Sequence, residues 1–368
     1  MKKPLLFSSI FCVFAVFANP QTIWEGEKII DKEVIVAKQD LLIKPGSKIT
    51  FKGKGILIVQ QGNFTADGAE FAAENPVENQ FRIRFSNGRI EVKNCQFNNM
   101  AAKNPARFLH GFIRIQYAKG VISGNTFTKS SGIALLNSNA LPVENNQFTD
   151  GTDGICLFNS GEHRVVNNSF FNMSGSCIQL NGSASSQIAN NRFENCALAV
   201  LLYNKTRNTQ VTGNSVFGGK TGFKLWHSGN GNLFSANLFE NIQGAAFEAG
   251  GRNFSGSTIY ANNCIYNCRY AFIIPKTAPD AAVIIRDNAV CKARVGISGN
   301  TGKIIAENNL LWKVKHPSSV KPDCQLEMKN TINADPLFKD AANGDYRPAD
   351  NSPLLKSGSS GGNIGLFQ

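Results

Sequence analysis

Apolar and polar positions alternate along this chain in a short phrase that returns at a nearly constant interval. A Val or Ile is followed by two residues, an Asn, a variable residue and another apolar residue, as in "VENNQF" (143–148) and "IANNRF" (188–193). A period of 20 to 50 residues predicts a solenoid in which each repeat is one supersecondary unit. The returning asparagines stand 21–26 residues apart: Asn125, Asn146, Asn168, Asn191, Asn214, Asn237, Asn263, Asn288 and Asn309.

A second phrase follows each Asn copy and consists of a small residue and then apolar-x-apolar, as in "GIALLN" (132–137) and "GFKLWH" (222–227). Alternation with a period of two predicts strands, and the Asn, Gly, Ser and Asp residues between them predict turns. Leucine-rich repeats also carry an Asn before an apolar residue, but they need a helix or its equivalent in each repeat, and no amphipathic helical stretch occurs here. The pattern therefore predicts an all-β fold, a parallel β-helix of about eleven or twelve coils. Its stacked asparagines would form a ladder that satisfies buried polar groups.

These phrases resemble the coil repeats of the pectate-lyase-like right-handed parallel β-helix superfamily. Residues 41–71 are similar to the opening coils of exported members, and residues 334–365, with "DPLF", "GDYR" and "NSPLL", look like their closing segment. The resemblance implies a β-helix over 19–333 and a C-terminal segment, 334–368, packed on it. The superfamily includes lyases, hydrolases, epimerases and non-catalytic binders, so the fold alone does not select an activity.

The N-terminus has the pattern of a secretory signal peptide. Lys2 and Lys3 precede an apolar run from Leu5 to Phe17, and small residues follow. The run is too short to span a bilayer, so we expect residues 1–18 to be cleaved after Ala18. The predicted location is secreted, periplasmic or cell-surface, without a membrane span.

The net charge and the cysteine content exclude few classes of binding partner. The net charge of +12 suits an anionic polysaccharide or simply keeps a large surface soluble. No dense basic cluster or nucleic-acid motif occurs, and a monomer is the expected state. Nine cysteines are present, Cys12 within the leader. The other eight are expected to be mostly core thiols, with at most one bridge near the C-terminus, and Cys264 and Cys268 lack the second pair of a zinc site.

The outward positions of the apolar-x-apolar strands are where function is expected. Reading down the stack, Lys224 and Trp226 point outward, with Glu248 one coil further on. An exposed indole can stack on a sugar ring, and polar neighbours can bind its hydroxyls. The predicted substrate-binding residues are Trp226, Glu248, Arg114, Phe158 and Asn181. The alternative is that the tail or a loop covers Trp226, which the outward Leu136, Phe158 and Leu202 favour.

Catalysis on this face would take the form of β-elimination on an acidic polysaccharide. Such a reaction needs a cation near the uronate carboxylate and a base for the adjacent proton. Lys224 is the predicted base and Arg252 its charge partner, with His227 as a third catalytic candidate. "FKLWHSGN" resembles the basic strand of chondroitinase- and alginate-lyase-type β-helices but lacks their Arg-His pair in that order.

Other chemistries find less support in the sequence. A glycosidase needs two carboxyl groups ~5–9.5 Å apart, and Glu248 has no acidic neighbour in its column. Asp150 and Asp153 are expected to form a turn; they are also the one place where Ca²⁺ is considered, and no other cofactor is predicted. The rival to an enzyme is a non-catalytic cell-surface or matrix protein that serves as an adhesion or binding scaffold.

Overall fold

The computed structural model describes residues 19–74, 77–78, 81–100, 102–103, 111–251, 256–278 and 281–366. The predicted signal peptide lies outside these residues. Within them no helix is long and apolar enough to span a membrane.

Short strands make up almost all of the regular structure. In the first part they are β1 (Gln21–Trp24), β2 (Glu27–Ile30), β3 (Glu33–Ala37), β4 (Asp40–Ile43), β5 (Lys48–Phe51), β6 (Ile56–Gln60), β7 (Phe64–Asp67), β8 (Glu70–Ala73), β9 (Val77–Glu78), β10 (Ile83–Lys93), β11 (Gln96–Asn98), β12 (Ala102–Lys103), β13 (Ile113–Ser123) and β14 (Thr126–Thr128). The middle part contains β15 (Ile133–Leu136), β16 (Val143–Glu144), β17 (Gln147–Thr149), β18 (Ile155–Phe158), β19 (Arg164–Val166), β20 (Ser169–Phe171), β21 (Ser176–Asn181), β22 (Gln187–Ala189), β23 (Arg192–Glu194), β24 (Leu198–Tyr203), β25 (Gln210–Thr212), β26 (Ser215–Phe217), β27 (Thr221–Trp226) and β28 (Asn232–Ser235). The last part contains β29 (Leu238–Glu240), β30 (Ala245–Gly250), β31 (Ser257–Ala261), β32 (Cys264–Tyr266), β33 (Tyr270–Lys276), β34 (Ala282–Arg286), β35 (Ala289–Cys291), β36 (Val295–Gly299), β37 (Gly302–Glu307), β38 (Leu310–Trp312), β39 (His316–Val320), β40 (Cys324–Lys329), β41 (Phe338–Asp340) and β42 (Asp345–Pro348). Two 3₁₀ turns, Ala341–Asn343 and Ser359–Gly361, complete the described elements.

The strands stack into three parallel sheets along one axis. From β15 onward they recur in the order sheet 1, sheet 2, sheet 3, so that each strand pairs with the strand three places later. Sheet 1 carries the apolar-x-apolar phrase, sheet 2 ends before the ladder Asn, and sheet 3 begins after it. β10 and β13 run continuously through sheets 1 and 2. Sheet 3 has 13 strands, which confirms a parallel β-helix of about twelve coils.

The asparagine ladder is present at all nine predicted positions. In each step from Asn125 to Asn309, Oδ1 of the later residue accepts hydrogen bonds from the backbone N–H and from Nδ2 of the earlier one, at 2.8–3.1 Å. All nine side chains are buried. The ladder therefore satisfies polar groups for which water is not accessible.

The residue before each ladder Asn explains the frequent Asn-Asn pairs. Asn145, Asn167 and Asn190 have φ of 57°, 56° and 55°. Asn adopts this left-handed conformation more readily than most residues, and the turn there requires it. The first Asn of a pair thus makes the turn, and the second makes the ladder.

The core is a column of side chains from all three sheets. In sheet 3, Phe71, Phe97, Phe127, Phe148, Phe170 and Phe193 stack in sequence with ring centroids 4.5–5.1 Å apart. Offset stacks of this kind add ~0.5–1.5 kcal/mol per pair beyond the burial of their area. The eight cysteines from Cys95 to Cys324 are buried thiols.

The C-terminal segment lies along the outer face of sheet 3. Leu354 and Ile364 are buried against Ala289, Cys291 and Leu310, with Phe338 partly buried in the same cluster. Hydrogen bonds from Gly365 N–H to the Asp287 carbonyl (2.8 Å) and from Asn262 Nδ2 to the Asn363 carbonyl (3.0 Å) fix its end. The described part of the tail therefore packs on sheet 3 and not on sheet 1, the sheet that carries the apolar-x-apolar phrase.

Candidate functional site

Strand β27 places two of the predicted site residues on the outside of sheet 1. Phe223 and Leu225 point inward and are each 1% exposed, whereas Lys224 and Trp226 alternate with them and are half-buried. The period-two reading of "GFKLWH" is therefore correct at this coil.

Lys224 is held between an acid and an aromatic ring. Its Nζ donates to Glu248 Oε1 at 2.9 Å and lies 4.7 Å from the centroid of the Trp226 ring. The side chains of Lys224 and Glu248 are 30% and 22% exposed, so the pair is only partly screened by solvent. The arrangement presents a cation, a carboxylate and an indole on one small surface.

The register of the following coil differs from the sequence-based one. Glu248, not Ala246, lies beside Lys224, because Phe247 pairs with Phe223, and Gly250 lies beside Trp226. The prediction that Glu248 continues the Trp226 column was wrong by two positions, since the buried Phe223–Phe247 contact sets the alignment. Without a side chain at Gly250, nothing from that position stacks on the indole.

The preceding coil contributes a residue that the sequence reading missed. Tyr203 is paired with Trp226 in the neighbouring strand. Leu202, which was expected to point outward, is 0% exposed, as is Val200. The "LAVLLY" stretch is apolar at both phases of a period of two, so only its neighbours could fix which phase faces in. The one signal was Tyr203 itself, the polar aromatic at the end of the run.

His227 follows Trp226 at the turn between sheets 1 and 2. Its φ is 56°, and its ring makes edge contacts with Trp226 and Tyr203, with centroids 5.7 Å apart in both cases. Its Nδ1 is buried and has no hydrogen-bond partner among the described residues. A Cβ on Gly251 would lie 2.6 Å from that Nδ1, so the imidazole occupies space that only glycine leaves there.

The remaining predicted residues lie further along the axis. Asn181 is two coils before Trp226, 2% exposed, and its Oδ1 accepts from Asn204 Nδ2 at 3.3 Å. Phe158 is three coils before Trp226 and packs on Ala134, Leu136 and Cys156. These outward positions extend the face, but they do not touch the Lys224–Trp226 group.

Arg114 belongs to a separate place on the same sheet. It lies five coils before Lys224, about 24 Å at the ordinary strand spacing. Its guanidinium covers the Phe81 ring at 4.7 Å, and burial, followed by the charge of Arg84, lowers its pKa. Arg252 lies outside the described residues.

The acidic turn at Asp150 and Asp153 accepts hydrogen bonds from the following coil. Asp153 Oδ1 accepts from the Ser176 backbone N–H at 2.9 Å, and Asp150 Oδ1 accepts from Asn172 Nδ2 at 3.1 Å. No group of three or more His, Cys, Asp or Glu side chains suited to a metal occurs in the part of the chain that the structure describes. Calcium would have to find most of its oxygen ligands elsewhere.

Comparisons with known proteins agree with the repeat pattern. The family model for the right-handed beta-helix region matches residues 82–239. A double mutant of the periplasmic alginate epimerase AlgG is similar at a TM-score of 0.50 and 13% identity, over 78% of this chain and 77% of that one. The catalytic domain of a GH87 alpha-1,3-glucanase in complex with nigerose is similar at a TM-score of 0.53 and 10% identity, over 82% of this chain and 62% of that one. No curated protein sequence matches. At these identities the similarities establish the fold.

Proposed function

We propose that this chain, a right-handed parallel β-helix of the pectate-lyase-like kind, binds a polysaccharide on the outward face of sheet 1. The observation that carries the proposal is the indole of Trp226, half-buried, pointing outward and flanked by Gly250 on the next coil. A sugar ring can occupy the space beside Gly250 and stack on the indole.

The charged neighbours suit the rim of such a site. Lys224 provides ammonium N–H groups and Glu248 carboxylate oxygens, so together they can donate to and accept from sugar hydroxyls. Phe158, which is half-buried, extends the face along the axis, in line with a chain rather than a single sugar, whereas Asn181 on the coil after it is 2% exposed. The positive net charge of +12 favours an anionic polymer.

The comparisons support a carbohydrate partner at the level of the fold. By their names, the two similar structures are an alginate epimerase and an alpha-1,3-glucanase in complex with nigerose, so the same architecture serves carbohydrate chemistry in other proteins. The residues at 1–18 further support a secreted or periplasmic location, where such polymers occur.

Catalysis by β-elimination is the second candidate function, and His227 is the observation that favours it. Its buried Nδ1 has no hydrogen-bond partner among the described residues, and the ring borders Trp226 and Tyr203. In the reaction a base removes the proton next to the uronate carboxylate, the electron pair forms a carbon–carbon double bond, and the glycosidic oxygen leaves and takes up a proton.

The roles within that reaction follow from the contacts. Lys224 donates to Glu248, and an ammonium in this role has no lone pair to receive a proton. We therefore give Lys224 the cation role beside the substrate carboxylate and His227 the role of base, with Arg252 as the further charge partner that the sequence suggested.

The test of binding is a comparison of Trp226→Ala with Tyr117→Ala. Tyr117 is a control because it is an aromatic residue of β13, 59% exposed, on the coil five before that of Trp226. Loss of a central aromatic contact is expected to weaken binding by about 30-fold or more in calorimetric titrations with acidic polysaccharides. Equal affinities for Trp226→Ala and the unmodified protein would refute a site at this indole.

The test of catalysis is the ultraviolet absorbance of the unsaturated ends that β-elimination leaves. A rise with the unmodified protein that disappears in His227→Gln, while binding persists, would support a lyase. Binding without any rise across the panel of polysaccharides would leave a non-catalytic carbohydrate-binding scaffold.

A further inference from the structure

A second concave site lies beyond Trp226 along the axis, at the turns between sheets 1 and 2. It is a cavity of about 660 Å³ lined by residues of three successive coils, among them Lys276, Thr277, Thr301, Lys303 and Asp323. Lys276 pairs with Gly250, which pairs with Trp226, so the cavity begins two coils from the indole. Two coils correspond to about 10 Å along the axis.

The inner wall of this cavity carries two unused hydroxyl groups. Thr277 Oγ1 and Thr301 Oγ1 are buried and have no hydrogen-bond partner among the described residues. A buried hydroxyl without a partner costs free energy, so such groups commonly mark a place where another molecule completes the bonding. Thr277 as a whole is 5% exposed.

The backbone is shaped to keep that hydroxyl in place. A Cβ on Gly302 would lie 1.7 Å from Thr277 Oγ1, and Gly302 has a φ of 98°. Only glycine combines that conformation with the space needed for the hydroxyl. The absence of a side chain at this turn therefore leaves the space that the Thr277 hydroxyl occupies.

The rim carries charged groups of both signs. Lys276 is exposed, and Lys303 lies 3.5 Å from Glu327 with its side chain 44% exposed. Asp323 and Gln325 complete the lining on the following coil. Two ammonium groups with hydroxyl, amide and carboxylate neighbours match a ring that bears both hydroxyls and one acid group.

We propose that this cavity is a subsite for an acid-bearing sugar residue of the same polysaccharide that lies on Trp226. The acid group binds between Lys276 and Lys303, and ring hydroxyls bond to Thr277, Thr301 and Gln325. This inference rests on the proposed function, because it places the two sites on one ligand. It adds a position for one acid group and the requirement that the chain be long enough to span both sites.

Length dependence is the property to measure. Titrations would use oligogalacturonates from the disaccharide to the hexasaccharide, sulfated galactan oligosaccharides of the same lengths and neutral oligosaccharides. The variants are Lys276→Gln and the isosteric Thr301→Val. Lys119→Gln is the matched control, because Lys119 is an exposed lysine on an early coil of the same side.

The expected result is a loss of about tenfold in affinity for the long acidic chains in Lys276→Gln and in Thr301→Val, but not in the control Lys119→Gln. Each test variant removes one charge-assisted or buried hydrogen bond. Disaccharides that reach only Trp226 should bind all three variants and the unmodified protein alike. An equal loss on the sulfated series would assign the subsite to acid groups in general, and a loss confined to the uronates would assign it to carboxylates.

Two other results distinguish failure of the subsite from failure of the proposed function. Unchanged affinity of Lys276→Gln and Thr301→Val for every chain, with Trp226→Ala still impaired, would overturn the subsite and leave the proposed function. Absence of binding by the unmodified protein to any of the chains would overturn both.

Discussion

Replacing one ladder residue, Asn214→Ala, probes the element on which the whole stack depends. Asn214 is 1% exposed and lies in the middle of the ladder. Its Oδ1 accepts from the backbone N–H and Nδ2 of Asn191 at 2.9 and 3.0 Å. Its Nδ2 donates to the carbonyls of Ile188 and Thr212 and to Asn237 Oδ1 at 3.0–3.1 Å.

The cost follows from the groups that lose a partner. Asn191 Nδ2 keeps its hydrogen bond to the Val165 carbonyl. The Asn191 backbone N–H loses its acceptor, and Asn237 Oδ1 loses the hydrogen bond from Asn214 Nδ2. Each buried group left without a partner costs ~1–3 kcal/mol, and the small void adds to this. We expect Asn214→Ala to lower the free energy of unfolding by about 3–5 kcal/mol.

Urea unfolding followed by circular dichroism measures this difference. The control is Asn190→Gly, which alters an exposed Asn at φ 55° in the turn before Asn191 and should change stability little. In a solenoid each coil is stabilised by contacts with its neighbours. A separate unfolding transition of the variant at a lower urea concentration would therefore also count as a loss of stability. A change within ~0.5 kcal/mol of the unmodified protein would refute the view that the ladder is stabilising.

Two further predictions concern the buried imidazole of His163 and the C-terminal segment. Burial lowers the pKa of His163 from its ordinary 6.5, and both ring nitrogens have partners: the Leu141 N–H lies 3.1 Å from Nδ1, and the Ser138 carbonyl lies 2.7 Å from Nε2. Because the unfolded chain binds the proton more readily, stability should fall as the pH drops below about 6.5, and His163→Gln should flatten that dependence in thermal unfolding across pH. Leu354→Ala should cost ~2–5 kcal/mol in docking of the C-terminal segment, because Leu354 is 2% exposed against sheet 3. Limited proteolysis should then cleave the tail faster than in the half-buried control Leu355→Ala, and equal rates would contradict the proposed packing.

The ladder could be predicted from sequence because its chemistry admits few alternatives. An Asn before x-apolar at a period of 21–26 residues has one role in a stack of strands, and all nine positions are occupied as expected. The inward and outward positions were also correct in "GFKLWH", a phrase with a single apolar phase.

The site was harder to predict, because register depends on contacts between coils. "LAVLLY" fits the apolar-x-apolar phrase in two phases, and "AAFEAG" fits it in two alignments that differ by one period of two residues, so the local pattern does not choose between them. Packing of Val200 and Phe247 in the core decided the register, and with it came Tyr203 and the direct Lys224–Glu248 pair. The Thr277–Thr301 cavity had no sequence signal, since its walls come from three different turns.

The coil-by-coil construction has a consequence for how such a surface can change over evolution. Each coil closes its hydrogen bonds with identical partners above and below, from the Asn214 step to the Asn288 step. Duplication or loss of one whole coil would therefore leave the backbone bonding intact while moving Trp226 and Lys276 apart or together by one strand spacing, ~4.8 Å. The distance between two binding positions would thus be inherited in discrete increments, and selection for a longer or shorter ligand could act on repeat number without redesigning any side chain.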